Sequence, residues 1–155
     1  MNDASLLSKL NSKMKESTGQ IPIGNEDYPI VLNKNLFVLG NYFFNVYLIQ
    51  GSQFSAIIET GVSALVDTLI MQLDLLNITP DYLVITHPHA DHITGLNGLQ
   101  NRYPNIRVIA GKGVAEFVNH PKAKINIIKE DYHIAKKLAG IDYNITRPAI
   151  TELSF

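Results

Sequence analysis

Hydrophobic and polar positions change period along this chain, and the change divides it. Between Ile30 and Glu59 the apolar residues come in short runs, Ile30–Leu32, Leu36–Leu39, Phe43–Ile49 and Phe54–Glu59, separated by Asn33-Lys34-Asn35, Gly40-Asn41 and Gln50-Gly51-Ser52. Short apolar runs punctuated by Asn, Gly and Ser predict strands joined by tight turns, here an antiparallel meander. Beyond Thr60-Gly61 the period lengthens: Ala64, Leu65, Leu69, Met71, Leu75 and Leu76 predict a helix ending near Asn77, with Pro80 as its stop. A strand at Tyr82–Thr86, a helix at Ile93–Asn101, a strand at Arg107–Ala110 and a helix at Gly113–Val118 follow. Strands alternating with helices imply parallel crossovers, so the expected fold class is α/β with a mixed sheet and flanking helices.

The ends add less. Leu6, Leu7, Leu10 and Met14 recur at helical spacing, and the Gly19–Pro29 segment breaks that pattern, so residues 1–29 read as a helical or irregular lead-in to a single domain spanning 1–155. Charged residues interspersed with Ile125, Ile127, Ile128, Ile134 and Leu138 make Glu116–Gly140 one or two surface helices. The tail from Asp142 ends in Ile150–Phe155, a candidate edge strand. One strand poses a packing question: Phe43–Ile49 is apolar on both alternating faces apart from Asn45, and such a strand needs cover on both sides.

Composition narrows the function classes. With 155 residues the chain suits one domain. Lys and Arg number 13 against 14 Asp and Glu, a formal net charge of -1 that gives nucleic-acid binding no support. The absence of cysteine excludes disulfides, thiolate metal sites, iron-sulfur clusters and a cysteine nucleophile. No apolar run is long enough to span a bilayer, and Met1–Leu10 lacks the basic start and apolar core of a secretory signal. The expectation is a cytoplasmic protein without a membrane partner.

Against that background one segment stands out: His87-Pro88-His89-Ala90-Asp91-His92, which gathers three of the five histidines directly after an apolar strand. Clustered imidazole and carboxylate donors at this spacing point to a metal. Pro88 pushes His87 toward extended geometry, where residues two apart project to the same side, so His87 and His89 can share one ion. Asp91 and His92, adjacent at the start of the next helix, face a second ion more naturally than the same tetrahedron. The spacing therefore favours two metals.

Leu83-Val-Ile-Thr-His87-Pro-His89-Ala-Asp91-His92-Ile-Thr-Gly95-Leu96 resembles the H-x-H-x-D-H signature of the metallo-β-lactamase superfamily with its preceding strand and following glycine. Ala56-Ile-Ile-Glu59-Thr60-Gly61 resembles that family's strand ending in an acidic-Thr-Gly turn, in the right order and at an appropriate distance. The resemblance implies an αββα sandwich and a binuclear site, commonly zinc and sometimes iron or manganese. His87 and His89 would hold the first ion, Asp91 and His92 the second, with a bridging hydroxide as nucleophile that Asp91 could also orient. The substrate would be a small molecule carrying an ester, thioester, lactone or phosphoester. Glu59 replaces the usual aspartate, whose role in the family is to support a ligand from outside; a carboxylate capping the Thr60-Gly61 turn is the alternative. His89 fits the hydrolases, because the redox di-iron branch tends to carry glutamate there.

The family's later ligands have no counterpart here. His120 precedes Pro121 with no glycine turn, and His133 lies in a charged helical segment, so both read as solvated residues. The chain therefore resembles the N-terminal half of the fold, with an open sheet face for a complementing chain to cover, most simply a second copy in a homodimer. Two functions follow: a metal-dependent hydrolase, or a truncated and catalytically incomplete module that serves as a metal-binding or assembly subunit.

Overall fold

The computed structural model describes residues 28–139. The predicted N-terminal helix and the C-terminal edge strand lie outside them. Among the described residues six strands form one sheet in sequence order: β1 (Ile30–Asn33), β2 (Leu36–Gly40), β3 (Asn45–Gln50), β4 (Ser55–Ile58), β5 (Tyr82–Ile85) and β6 (Arg107–Ala110). The first four pair antiparallel, then β4–β5 and β5–β6 pair parallel. The mixed α/β sheet expected from the sequence is thus present. Its meander supplies the antiparallel part and the two helical crossovers the parallel part.

Among the described residues five helices accompany the sheet: α1 (Val66–Leu76, entered through a 3-10 turn at Ser63–Leu65), α2 (Ala90–Ile93), α3 (Leu96–Arg102), α4 (Val114–Asn119) and α5 (Pro121–Ala139). One sheet face packs against them. Phe37, Leu39, Val46, Leu48, Ile57, Leu83 and Ile85 project from the strands into a cluster with Leu69, Leu73, Ile93, Leu96 and Leu99. Helix α5 joins this core through Ile127 and Ala135, so it is not wholly a surface element. No helix among the described residues is long and apolar enough to cross a membrane.

The opposite face is only partly covered. Tyr47, Ile58, Val84 and Ile109 are successive cross-strand partners, as are Ile49, Ala56, Tyr82 and Arg107. Of these, Tyr47, Ile49 and Ile109 are 39%, 45% and 49% exposed, so an apolar strip crosses the sheet on the side away from the helices. A single sheet with helices on one face is half of a sandwich.

Two boundaries differ from the sequence expectation, and both shape the site. Strand β3 begins at Asn45 instead of Phe43 because the Asn41 side chain accepts the backbone N–H groups of Phe43 and Phe44 and folds residues 41–44 into a turn. The single helix expected over Ile93–Asn101 is two helices broken at Thr94-Gly95. There the chain presses so closely on the preceding motif that a Cβ on Gly95 would lie 2.6 Å from the Thr60 carbonyl oxygen. Only glycine admits that approach.

Candidate metal centre

The site grows from the carboxyl ends of the parallel strands β4 and β5, where ligands commonly sit in open α/β sheets. Strand β5 stops at Ile85, and Thr86 and His87 continue into the turn before α2. His89 is extended, with φ -79° and ψ 153°, at the N-terminal boundary of α2, which carries Asp91 and His92. At the end of β4, Glu59 takes φ 72°, a left-handed conformation unusual for a residue with a side chain. The turn it creates is pinned to the other motif: Thr60 donates its N–H (3.0 Å) and its hydroxyl (2.9 Å) to the His92 carbonyl. Gly95 in return donates to Thr60 Oγ1 at 3.1 Å and Gly61 O at 3.3 Å.

The imidazoles converge. His87 and His92 ring centroids are 3.9 Å apart, and those of His87 and His89 are 4.7 Å apart. The tightest donor group among the described residues is Glu59, His87 and His92, whose ligand atoms all lie within 4.8 Å of one another. Glu59 was not in the ligand set implied by the resemblance, yet it belongs to this group; His89 and Asp91 flank it. His92 faces a carboxylate from each ring nitrogen: Nε2 lies 3.3 Å from Asp91 Oδ2, and Nδ1 lies 3.4 Å from Glu59 Oε2.

Burial separates these two ends. Glu59 Oε2 and His92 Nδ1 are both buried and lack any hydrogen-bond partner, whereas the Asp91 side chain is 42% exposed. The two orphaned atoms face each other at 3.4 Å, so a proton on His92 Nδ1 would point toward Glu59 and leave Nε2 on the open, Asp91 side. The same logic reaches His87. Thr86 donates its hydroxyl to Glu59 Oε1, which also accepts the Thr86 N–H at 3.2 Å. With its one proton spent there, Thr86 Oγ1 can only accept from His87 Nδ1, 2.9 Å away. With Nδ1–H on both rings, the arrangement that the Thr86 and Glu59 acceptors suit, Nε2 of each imidazole is free, and the same carboxylate stands behind both, beside His92 directly and behind His87 through Thr86. These are the tautomers a metal ligand needs, and the donor set of imidazole and carboxylate suits a divalent ion.

Phe43, Phe44, Val46, Glu59, Asp91 and His92 line a cavity of about 80 Å³ beside this cluster. Phe43 itself stands half exposed at its rim. His120 and His133 stay on exposed positions of the α4–α5 region, away from the group. Thr86 was missed in the sequence reading; its signal was its place between the strand and His87.

Comparison with known proteins agrees with this geometry. The profile of the Metallo-beta-lactamase superfamily matches residues 40–150, and the chain belongs to that superfamily. Similar relatives include the hydroxyacylglutathione hydrolases of Buchnera aphidicola subsp. Baizongia pistaciae, 33% identical over 51% of this chain and 29% of that protein, and of Haemophilus ducreyi, 47% identical over 29% of this chain and 18% of that protein. Among solved structures, a metallo-beta-lactamase from Cronobacter sakazakii superposes with a TM-score of 0.53 at 22% identity, covering 61% of this chain and 37% of that one. A subclass B3 metallo-beta-lactamase of Bradyrhizobium japonicum gives 0.50 at 17% identity over 63% and 34%. The matched region spans less than a third of the length of these two hydrolases and little more than a third of the lactamases, and the shared fold is the partial sandwich described above.

Proposed function

We propose that this chain carries the metal-binding half of a hydrolase site for thioesters. The observation that carries the reading is the convergence of His87, His92 and Glu59, whose ligand atoms lie within 4.8 Å of one another, with Nε2 of His92 beside Asp91 on the open side of the cluster. His87, His89, Asp91 and His92 would hold divalent metal, zinc or otherwise iron or manganese. When bound, such ions polarise the substrate carbonyl and lower the pKa of a bound water to about 7.

The chain's own residues do the rest. Glu59 and Thr86 orient two imidazoles before any ligand arrives, which removes a reorganisation cost from binding. Asp91, the exposed carboxylate, is placed to accept a proton from an attacking water and orient it. Phe43 and Phe44 bound the cavity on its apolar side and exclude water from one flank of the substrate. The thioester class is favoured over ester, lactone or phosphoester by the relatives named hydroxyacylglutathione hydrolase, whose acyl group is joined through sulfur.

A second reading, a metal-binding or assembly module without turnover, is favoured by one observation: among the described residues no histidine beyond His92 joins the donor group. Metal analysis and an acylglutathione hydrolysis assay separate the two. The first reading expects bound zinc, iron or manganese and turnover that His87→Ala abolishes. Glu59→Gln, which keeps the shape but cannot accept from both imidazole systems as a carboxylate does, should weaken metal binding by about 10–100-fold. Metal bound without turnover supports the metal-binding module; folded protein that takes up no metal refutes the hydrolase reading and supports the assembly subunit.

A further inference from the structure

Helix α5 was expected to present its charges to solvent, but one of them is turned inward. Asp131 sits four residues from Ile127 and four from Ala135, on the buried stripe of the helix, and its carboxylate makes a cluster of short hydrogen bonds. Oδ1 accepts the Ser63 N–H at 2.9 Å and the Thr94 hydroxyl at 2.6 Å; Oδ2 accepts the Ser63 hydroxyl at 2.5 Å. Thr94 Oγ1 also accepts from Ser63 N at 3.0 Å and lies 2.8 Å from the Ala90 carbonyl.

Ser63 and Thr94 occupy equivalent places in the two motifs. Ser63 opens the 3-10 turn that follows Glu59-Thr60-Gly61, and Thr94 follows Asp91-His92-Ile93 directly. One carboxylate from a distant part of the chain therefore grips both segments just beyond the residues that face each other across the His92–Glu59 contact. That contact is 3.4 Å long, and a shift of a few tenths of an ångström between the segments would break it. We propose that Asp131 is a positioning residue for the metal centre: by clamping Ser63 and Thr94 it holds the Glu59 turn and helix α2 in the register that keeps His92 Nδ1 on Glu59 and Nε2 toward the metal. This inference rests on the metal reading of the cluster. It adds to that reading an arm, residues 121–139, that supplies no member of the donor group and yet sets its geometry.

The test uses the full chain labelled at histidine nitrogen. In the metal-free wild type, His92 shows the Nδ1–H tautomer. In Asp131→Ala the His92 signals move to a mixture of tautomers, and Zn²⁺ affinity by titration calorimetry falls about tenfold, at the lower end of what outer-shell carboxylate loss costs. Asp131→Asn, which keeps one carbonyl acceptor, falls between them. Glu130→Gln removes a carboxylate from the exposed side of the same helix and changes neither readout. If Asp131→Ala does not fold, Asp131→Asn and Ser63→Ala carry the same comparison. The inference is overturned if a folded Asp131 variant melts at lower temperature while its His92 nitrogen shifts and Zn²⁺ affinity match wild type, because Asp131 is then structural only. Wild-type protein that binds no Zn²⁺, iron or manganese would refute the proposed function; the His92 tautomer in the variants would still decide the role of Asp131.

Discussion

Gly95→Ala is the sharpest single perturbation of the joint between the two motifs. Its φ of -75° suits any residue, so backbone conformation is not the obstacle. The obstacle is space: the added Cβ would lie 2.6 Å from Thr60 O, 3.0 Å from Thr60 Cβ and 3.1 Å from Thr60 Oγ1. The first of these is backbone in a buried turn and cannot swing aside. Forcing a methyl group into packed surroundings costs about 1–3 kcal/mol. Separating the segments stretches the Gly95 N–H bonds to Thr60 Oγ1 and Gly61 O, at about 1 kcal/mol for a buried hydrogen bond. The lower entropy of the unfolded alanine chain returns about 0.4–1 kcal/mol. The net expectation is a loss of about 1–4 kcal/mol, a large share of the 5–15 kcal/mol typical of a domain.

Urea unfolding followed by circular dichroism measures it, with the midpoint falling and the slope unchanged. Gly111→Ala is the matched control, since its added Cβ meets nothing closer than 3.7 Å. It should be neutral or slightly stabilising. A Gly95→Ala protein within about 0.5 kcal/mol of wild type, the range of ordinary surface substitutions, would refute the close approach of the motif helix to Thr60.

Two other outcomes follow from burial. The Tyr103 hydroxyl is buried with no hydrogen-bond partner, and burial together with the nearby Asp74 charge raises its pKa, so Tyr103→Phe removes an unpaid desolvation cost and should raise stability by about 1 kcal/mol in the same urea assay; a loss of similar size would show that the hydroxyl is satisfied. We also propose that the apolar strip of Tyr47, Ile49 and Ile109 is covered by a second copy of the chain, since its neighbouring charge, Arg107, is already stacked 4.1 Å over the Tyr82 ring. Sedimentation should give a dimer that Ile49→Lys with Ile109→Lys converts to monomer, and a wild-type monomer at micromolar concentration would overturn the pairing.

The meander, the crossovers and the clustering of imidazole and carboxylate donors at His87–His92 are written in local spacing: alternation makes strands, Asn77 and Pro80 stop a helix, and Pro88 extends His87. The sequence also contained the apolar positions that leave a sheet face open. The helix break at Thr94-Gly95 was not legible, because the apolar period runs straight through it and only contact with Thr60 interrupts it. The roles of Glu59, Thr86 and Asp131 belong to the tertiary structure for the same reason. Glu59 could cap a turn or support a ligand until the fold placed its two oxygens against Thr86 and His92. Asp131 reads as a solvated helix charge until α5 packs with that stripe inward and brings it to Ser63 and Thr94. Donor types are fixed residue by residue; which nitrogen carries the proton, and which carboxylate holds it there, depends on groups 27 to 68 positions apart meeting within hydrogen-bond distance, and only folding sets that.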